Sequence, residues 1–121
     1  MSAVDDMLAC EQQLLHGDFR GDHAGLQRLL TADFIEISHG RVSDRAQVIA
    51  WLLGKDPDAR WAFDDMHVTE LAPGIRLARY RAKQVQPQPS QGSGALHSSI
   101  WCFSSDLQCW QLRFHQATRL L

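Results

Sequence analysis

The stretch HSSIWCFSSDLQCWQLRFHQ, residues 97–116, decides the fold of this chain. Two runs in which apolar and polar residues alternate flank the turn-forming tetrapeptide SSDL at 104–107, a pattern typical of a β-hairpin. A loop centred on that tetrapeptide places Trp101 opposite Trp110, and one side of both strands becomes rich in aromatic rings. We expect this aromatic side to be the concave side of a curved sheet, covered by helices.

The residues on the aromatic side of this hairpin are candidates for a ligand pocket. With the register above, that side carries His97, Ser99, Trp101, Trp110, Leu112 and Gln116. A buried polar group needs partners, which can be a ligand, a neighbouring side chain or a water molecule. The opposite side carries His115, facing a partner subunit, and sets Cys102 against Cys109. A slip of one residue, or a bulge after Phe114, would reverse these faces.

The rest of the chain predicts three helices and further strands. Apolar residues at helical spacing predict helices over 4–16, after Asp22 and over 44–54, with Asp22 and Asp44 as N-caps. Strands are predicted over 33–37, from residue 61, and over 75–85, 97–103 and 108–116, with a turn at His39-Gly40. The Pro- and Gly-rich stretch 86–94 predicts a flexible linker. We therefore expect one α+β domain spanning 1–121, whose last four strands form an antiparallel meander.

Composition excludes several classes of protein. The 121 residues are 45% apolar with a formal net charge of -2, which gives no general attraction to nucleic acid or to an anionic membrane. No apolar run is long enough for a spanning helix, and the N-terminus lacks the apolar segment of a secretory signal. The three cysteines show no metal-site spacing. We expect a cytoplasmic protein with reduced thiols and no metal or cofactor.

Two residues are predicted to carry acid–base chemistry. Glu36 shares a strand face with Phe34, so a buried Phe34 would bring Glu36 into the core as a general acid or base. His97 could shuttle protons near neutral pH from the aromatic side of the hairpin. The alternatives are a Glu36 that only pairs with an Arg or a His, and a His97 that is packed and bonded to a strand neighbour.

Two further polar residues lie in apolar surroundings. Glu11 interrupts the apolar stripe of the first helix and would sit at the pocket mouth, or pair with Arg28 or another cation. Tyr80 stands between Ala78 and Ala82 on one strand face, where small neighbours leave room for a cavity wall. The alternative for Tyr80 is a place at the rim with its hydroxyl in water.

The chain resembles the nuclear transport factor 2-like superfamily, near its SnoaL-like and ketosteroid isomerase-like branches. The resemblance covers about residues 4–118 and is carried by DFIEI (33–37), the turn at Gly40-Arg41, SSIW (98–101) and WQLRFHQAT (110–118). It implies a cone-shaped, curved antiparallel sheet that encloses a pocket with three helices from the N-terminal half, and a homodimer joined through the outer sheet face. Tyr80 is the only tyrosine and lies outside the predicted helices, which argues against steroid-type isomerisation.

Two functions remain open from the sequence. The first is a small-molecule-binding domain that performs cofactor-independent acid–base chemistry of the isomerase, cyclase or hydratase type, with Glu36 and His97 as catalytic residues. The second is a non-catalytic dimer module that binds a ligand or a protein. Either would hold a small apolar or amphipathic molecule against Tyr80, Ser99, Trp101, Trp110, Leu112 and Gln116.

Overall fold

A computed structural model describes residues 2–87, 89 and 94–120 and shows a mixed α+β fold. Its elements are α1 (Ala3–His16), α2 (His23–Leu29), β1 (Leu30–Ser38), β2 (Arg41–Asp44), α3 (Arg45–Gly54), β3 (Arg60–Ala72), β4 (Ile75–Gln86), β5 (Ala95–Ser104) and β6 (Cys109–Arg119). Among the described residues the strands form one curved, unclosed sheet in the order β2-β1-β6-β5-β4-β3. The predicted fold class is confirmed, and most of the predicted linker 86–94 lies outside the described residues.

The last four strands form the predicted antiparallel meander, but β1 pairs in a way that the sequence did not predict. β1 lies parallel to β6, with Ile35 beside Phe114 and Glu36 beside His115. On its other edge β1 pairs with the short strand β2 through a tight turn at His39 and Gly40, whose φ angles are both positive. This arrangement places Glu36 on the second strand from the edge, next to the C-terminal hairpin.

The hairpin register differs from the prediction in two respects. Trp101 lies opposite Leu112 and Phe103 opposite Trp110, because the loop comprises residues 105–108 and is closed by Gln108 with a φ of 54°. A β-bulge then places the extra residue Arg113 between the Trp101–Leu112 and Ile100–Phe114 pairs. The predicted face of His115 is therefore wrong. His115 lies opposite Ser99 and shares the concave face with His97.

The bulge and the loop register also correct the predicted placements of Gln116 and Cys102. Gln116 lies opposite Ser98 on the outer face of the sheet, and its side chain donates a hydrogen bond to the hydroxyl of Thr118. Phe114 lies opposite Ile100 on that same outer face. Cys102 lies opposite Gln111 rather than Cys109, and Cys10, Cys102 and Cys109 are all free thiols.

Helix boundaries follow the predicted caps. The Asp22 carboxylate accepts a hydrogen bond from the Gly25 backbone N–H at 3.0 Å. Asp44 and Gln47 form a complete capping box, in which each side chain accepts from the other residue's backbone N–H at 2.9 Å. Within the described part of the chain, no helix is long and apolar enough to cross a membrane.

The concave face of the sheet packs against the helices to form the core. Trp101, Phe34, Met7 and Leu26 are fully buried there, together with Leu30. Phe34 and Glu36 alternate with Ile35 and Ile37 along β1, so Glu36 points to the same face as this core. The fold thus directs one carboxylate and two histidines towards a largely apolar interior.

The capping box yields a stability prediction. Asp44→Ala should lower the free energy of unfolding by about 1 kcal/mol, because the first turn of α3 loses a bonded acceptor. The matched control is Asp106→Ala, in the exposed turn after β5, which should change it by less than about 0.5 kcal/mol. Equal effects of the two substitutions in urea unfolding would contradict the capping assignment.

Candidate functional site

Three side chains from three neighbouring strands form a continuous hydrogen-bonded chain, which we call the proton relay. His115 Nδ1 lies 2.7 Å from Glu36 Oε2, and His115 Nε2 lies 2.9 Å from His97 Nδ1. Glu36 is brought to His115 by the parallel pairing of β1 with β6, and His97 by the antiparallel pairing of β6 with β5. The relay unites the two residues predicted to be catalytic, with His115 between them.

The order of donors and acceptors along the relay fixes the histidine tautomers. An ionised Glu36 can only accept, so His115 must donate through its Nδ1–H. The Nε2 of a neutral His115 is then an acceptor, and His97 must donate to it through its own Nδ1–H. The remaining His97 nitrogen, Nε2, is left with a free lone pair and makes no hydrogen bond to the described residues. His97 therefore presents a base at the end of the relay.

The surroundings of His97 keep its imidazole ring neutral. Burial first, and then the nearby His115 and His39, lower the pKa of His97 to about 3. The side chains of His115 and Glu36 are 14% and 27% exposed, and they lie 2.7 Å apart. The Glu36 carboxylate therefore favours a positive charge on the neighbouring ring of His115.

A second polar cluster, the Glu11 cluster, lies under the relay. It consists of Glu11, Tyr80, Trp101 and Ser99. Glu11 is only 3% exposed, and its two carboxylate oxygens accept from the Tyr80 hydroxyl at 2.5 Å and from Trp101 Nε1–H at 2.7 Å. Among the described residues neither Arg28 nor another cation pairs with this carboxylate, so the alternative of an ion pair is wrong.

Burial and the neighbouring charge of Glu11 act together on Tyr80. Burial first, and then the adjacent Glu11 carboxylate, raise the pKa of Tyr80 well above its usual value, so the phenol stays protonated. The buried Ser99 hydroxyl lies close enough to lower that pKa slightly, although it does not reach hydrogen-bonding geometry with any described group. Tyr80 is thus part of the interior rather than of the rim.

A ring stack joins the two clusters. The Tyr80 and His97 rings lie 4.9 Å apart, centre to centre, at an angle of 8° between their planes. Phe63 of β3 extends the contact on the other side of Tyr80, at 5.6 Å. An unbroken row of side chains therefore crosses the concave face from β3 to the Glu36 carboxylate on β1.

The predicted pocket residues separate into three groups. The first group is buried in the concave core and does not border an open cleft: Tyr80, Ser99, Trp101 and Leu112. Trp110 lies towards the other end of the hairpin, with the Arg76 guanidinium 4.4 Å above its ring. Gln116 faces outwards, as described above.

Two clefts of about 440 Å³ lie outside this packed core. The first, which we call the rim cleft, is lined by His39, Gly40, Ala117, Thr118 and Arg119. Ala117 pairs with His97 across β5 and β6, so the rim cleft begins at the strand position beside the relay. The second lies between α1, α2 and Trp110, away from Glu36 and His97. In the described part of the chain no group of three or more His, Cys, Asp or Glu side chains is arranged to hold a metal ion.

Sequence reasoning missed two functional features. His115 joins the concave face only because of the bulge at Arg113, which no turn residue in the sequence marks. Glu11 was recognised as a charge in an apolar stripe, but its donors come from strands 69 and 90 residues further along the chain. Only the tertiary pairing of α1 with the sheet brings these groups together.

No known family model matches the chain, and no curated protein matches it. Solved structures do match. A nuclear transport factor 2-like protein of unknown function in nutrient uptake from Rhodospirillum rubrum is 21% identical, with a TM-score of 0.76 over 97% of this chain and 100% of that one. A proposed ketosteroid isomerase from Parabacteroides distasonis is 12% identical, with a TM-score of 0.70 over 98% and 89% of the two chains.

A further match is described as a candidate Ca/calmodulin-dependent kinase II association domain, from Exiguobacterium sibiricum. It is 21% identical, with a TM-score of 0.67 over 100% of this chain and 96% of that chain. Identities of 12% to 21% establish a shared fold and leave function open, since this fold carries several activities. The chain has the nuclear transport factor 2-like fold that its C-terminal hairpin predicts.

Proposed function

We propose that this chain binds a small apolar or amphipathic molecule and moves protons on it, in a cofactor-independent reaction of the isomerase, cyclase or hydratase type. The observation that carries the proposal is the continuous relay from Glu36 through His115 to His97. This arrangement leaves an unprotonated nitrogen of His97 at one end and a carboxylate at the other, which are the two ends that a proton transfer requires.

The proposed proton transfer is balanced within the relay. His97 Nε2 takes a proton from a C–H or O–H bond of the substrate, whose electron pair stays on the substrate. The His97 Nδ1 proton moves to His115 Nε2, and the resulting positive charge rests beside Glu36. Return of the proton to another atom of the substrate completes an isomerisation, or the loss or addition of water, and restores the starting tautomers.

The rim cleft is the proposed binding site. Its volume of about 440 Å³ falls in the range of small-molecule sites, and Ala117 connects it to the strand position of His97. We propose that Tyr80 and Ser99 lie behind His97 at the reacting end, while Trp101 and Leu112 form the packed floor of the site. Trp110 lies too far along the hairpin to share in this site.

A deuterium-exchange assay tests the proposal without knowledge of the natural substrate. The protein is incubated in D₂O with a panel of small apolar and amphipathic ketones, and loss of the protons next to the carbonyl is followed by NMR. The wild type should accelerate exchange for at least one ketone. Glu36→Gln should slow it by about 100-fold or more, because glutamine keeps the bond from His115 but lacks the charge that stabilises the protonated relay.

The matched control is Glu70→Gln, an exposed carboxylate on β3 that makes no hydrogen bond to the described residues. It should exchange at the wild-type rate. A Glu36→Gln variant that is folded and equally active would remove the relay from the reaction. Exchange no faster than in buffer for every ketone would argue against carbon-acid chemistry altogether.

A second function is favoured by the outer face of the sheet. Apolar side chains are exposed there on three strands, with Val42 at 63%, Leu96 at 49% and Ile37 at 41%. Exposed apolar patches of this kind mark contact surfaces. One similar structure is described as an association domain. We propose that this face joins two copies of the chain, either alongside the acid–base activity or as the main role of a non-catalytic module.

Sedimentation of a charge variant tests the dimer. The wild type should sediment as a dimer at micromolar concentration, and Leu96→Asp should shift it to a monomer, because a carboxylate in the contact would have to lose its water. Arg81 on β4 lies opposite residue 96, so its guanidinium can pair with the new carboxylate and keep the Leu96→Asp monomer folded. Trp51→Asp on α3, equally exposed but away from the sheet face, is the control and should remain dimeric. A monomeric wild type, or a dimeric Leu96→Asp, would contradict this placement.

A further inference from the structure

Among the described residues Glu11 is the one buried side chain of a type that is charged at neutral pH, and the relay does not contain it. An ionised carboxylate that is 97% shielded from water is stable only if its oxygens are hydrogen-bonded or paired with a cation. No cation contacts Glu11 within the part of the chain that the structure describes. Its compensation comes from one neutral donor on each oxygen, the Tyr80 hydroxyl at 2.5 Å and Trp101 Nε1–H at 2.7 Å.

The bond to Tyr80 fixes a ring that touches the relay. A tyrosine held at its hydroxyl by a buried carboxylate can neither rotate nor slide away from the strand face. Its ring lies flat on His97, with 4.9 Å between centres and 8° between planes. His97 is therefore held twice, by its face against Tyr80 and by its Nδ1 edge against His115.

We infer that Glu11 is a positioning residue for His97, acting through Tyr80 to hold the imidazole ring in the orientation in which its Nδ1 faces His115 and its Nε2 is free. The effect on turnover rests on the function proposed above, whereas the effect on the ring of His97 does not. The two bonds of Glu11 have separable roles, because Trp101 anchors the carboxylate in the core and Tyr80 transmits its position to the relay.

The raised pKa of Tyr80 is consistent with this role. Because burial and Glu11 keep the phenol protonated, its single proton is committed to the Glu11 carboxylate. Tyr80 then has no proton to donate to a bound molecule, and it serves the site as a platform for His97. This distinguishes it from a tyrosine that stabilises an oxyanion directly.

The tautomer of His97, measured by the ¹⁵N chemical shifts of its two ring nitrogens, tests the inference. In the wild type a single form is expected, protonated at Nδ1 and unprotonated at Nε2. In Glu11→Gln, the amide oxygen can accept from Trp101 only if the amide N–H faces the Tyr80 oxygen, so a neutral bond replaces the charge-assisted one and the hold on Tyr80 is weakened. In Tyr80→Phe the ring remains but its anchor is lost. Both variants should lose the single-form signature and show the averaged shifts of a mobile ring.

Two controls separate positioning from general stability. Asp6→Asn changes a carboxylate earlier on α1, which pairs with Arg76 and does not hydrogen-bond to Tyr80. Asp44→Ala removes the N-cap of α3, which makes no hydrogen bond to Glu11 or Tyr80, and should lower the melting temperature. Both should retain the His97 signature. Should Glu11→Gln fail to fold, Tyr80→Phe alone decides, since it keeps the aromatic contact and most of the buried area.

Unchanged His97 shifts in folded Glu11→Gln and Tyr80→Phe would overturn the inference. In the deuterium-exchange assay, loss of ring position should slow the reaction by roughly 10- to 100-fold. A wild type with no exchange activity would count against the proposed function alone, because the His97 shifts are measured without any substrate.

Discussion

The position of β6 between β5 and β1 is the constraint on which the rest of the site depends. β6 pairs antiparallel with β5 and parallel with β1, so it places His115 between Ser99 on one side and Glu36 on the other. The bulge at Arg113 is needed as well, because a regular ladder would turn His115 to the outer face. One irregular residue therefore determines whether Glu36 and His97 are connected.

The two buried-facing carboxylates have different surroundings, and this gives them different roles. Glu36 is 27% exposed on its side chain and contacts a histidine that can carry a positive charge. Both oxygens of Glu11 accept from neutral donors, the Tyr80 hydroxyl and Trp101 Nε1–H. Glu36 thus suits the accepting end of a proton relay, while Glu11 suits a fixed anchor.

Local sequence patterns predicted the helices and most of the strands, but they did not predict which strands pair or in which register. The caps at Asp22 and Asp44, the alternation in the last four strands and the fold itself could be read from the chain. The hairpin register was predicted wrongly because a turn can be centred at several positions in SSDLQ. The positive φ angle of Gln108 places the loop at residues 105–108, and nothing in the sequence marks Gln108 for that conformation. The sequence identified Glu36 and His97 as candidates, but it did not predict that His115 connects them. That connection depends on the bulge at Arg113 and on the parallel pairing of β1 with β6.

The central claim is that Glu36, His115 and His97 share one continuous path for a proton. Scalar coupling through the hydrogen bond between the two imidazoles measures that path directly, in protein labelled with ¹⁵N in the histidine rings. The account predicts a coupling between His97 Nδ1 and His115 Nε2, with the bridging proton bound to His97. The absence of that coupling, or a proton bound to Nε2 of His97 in the neutral protein, would contradict it.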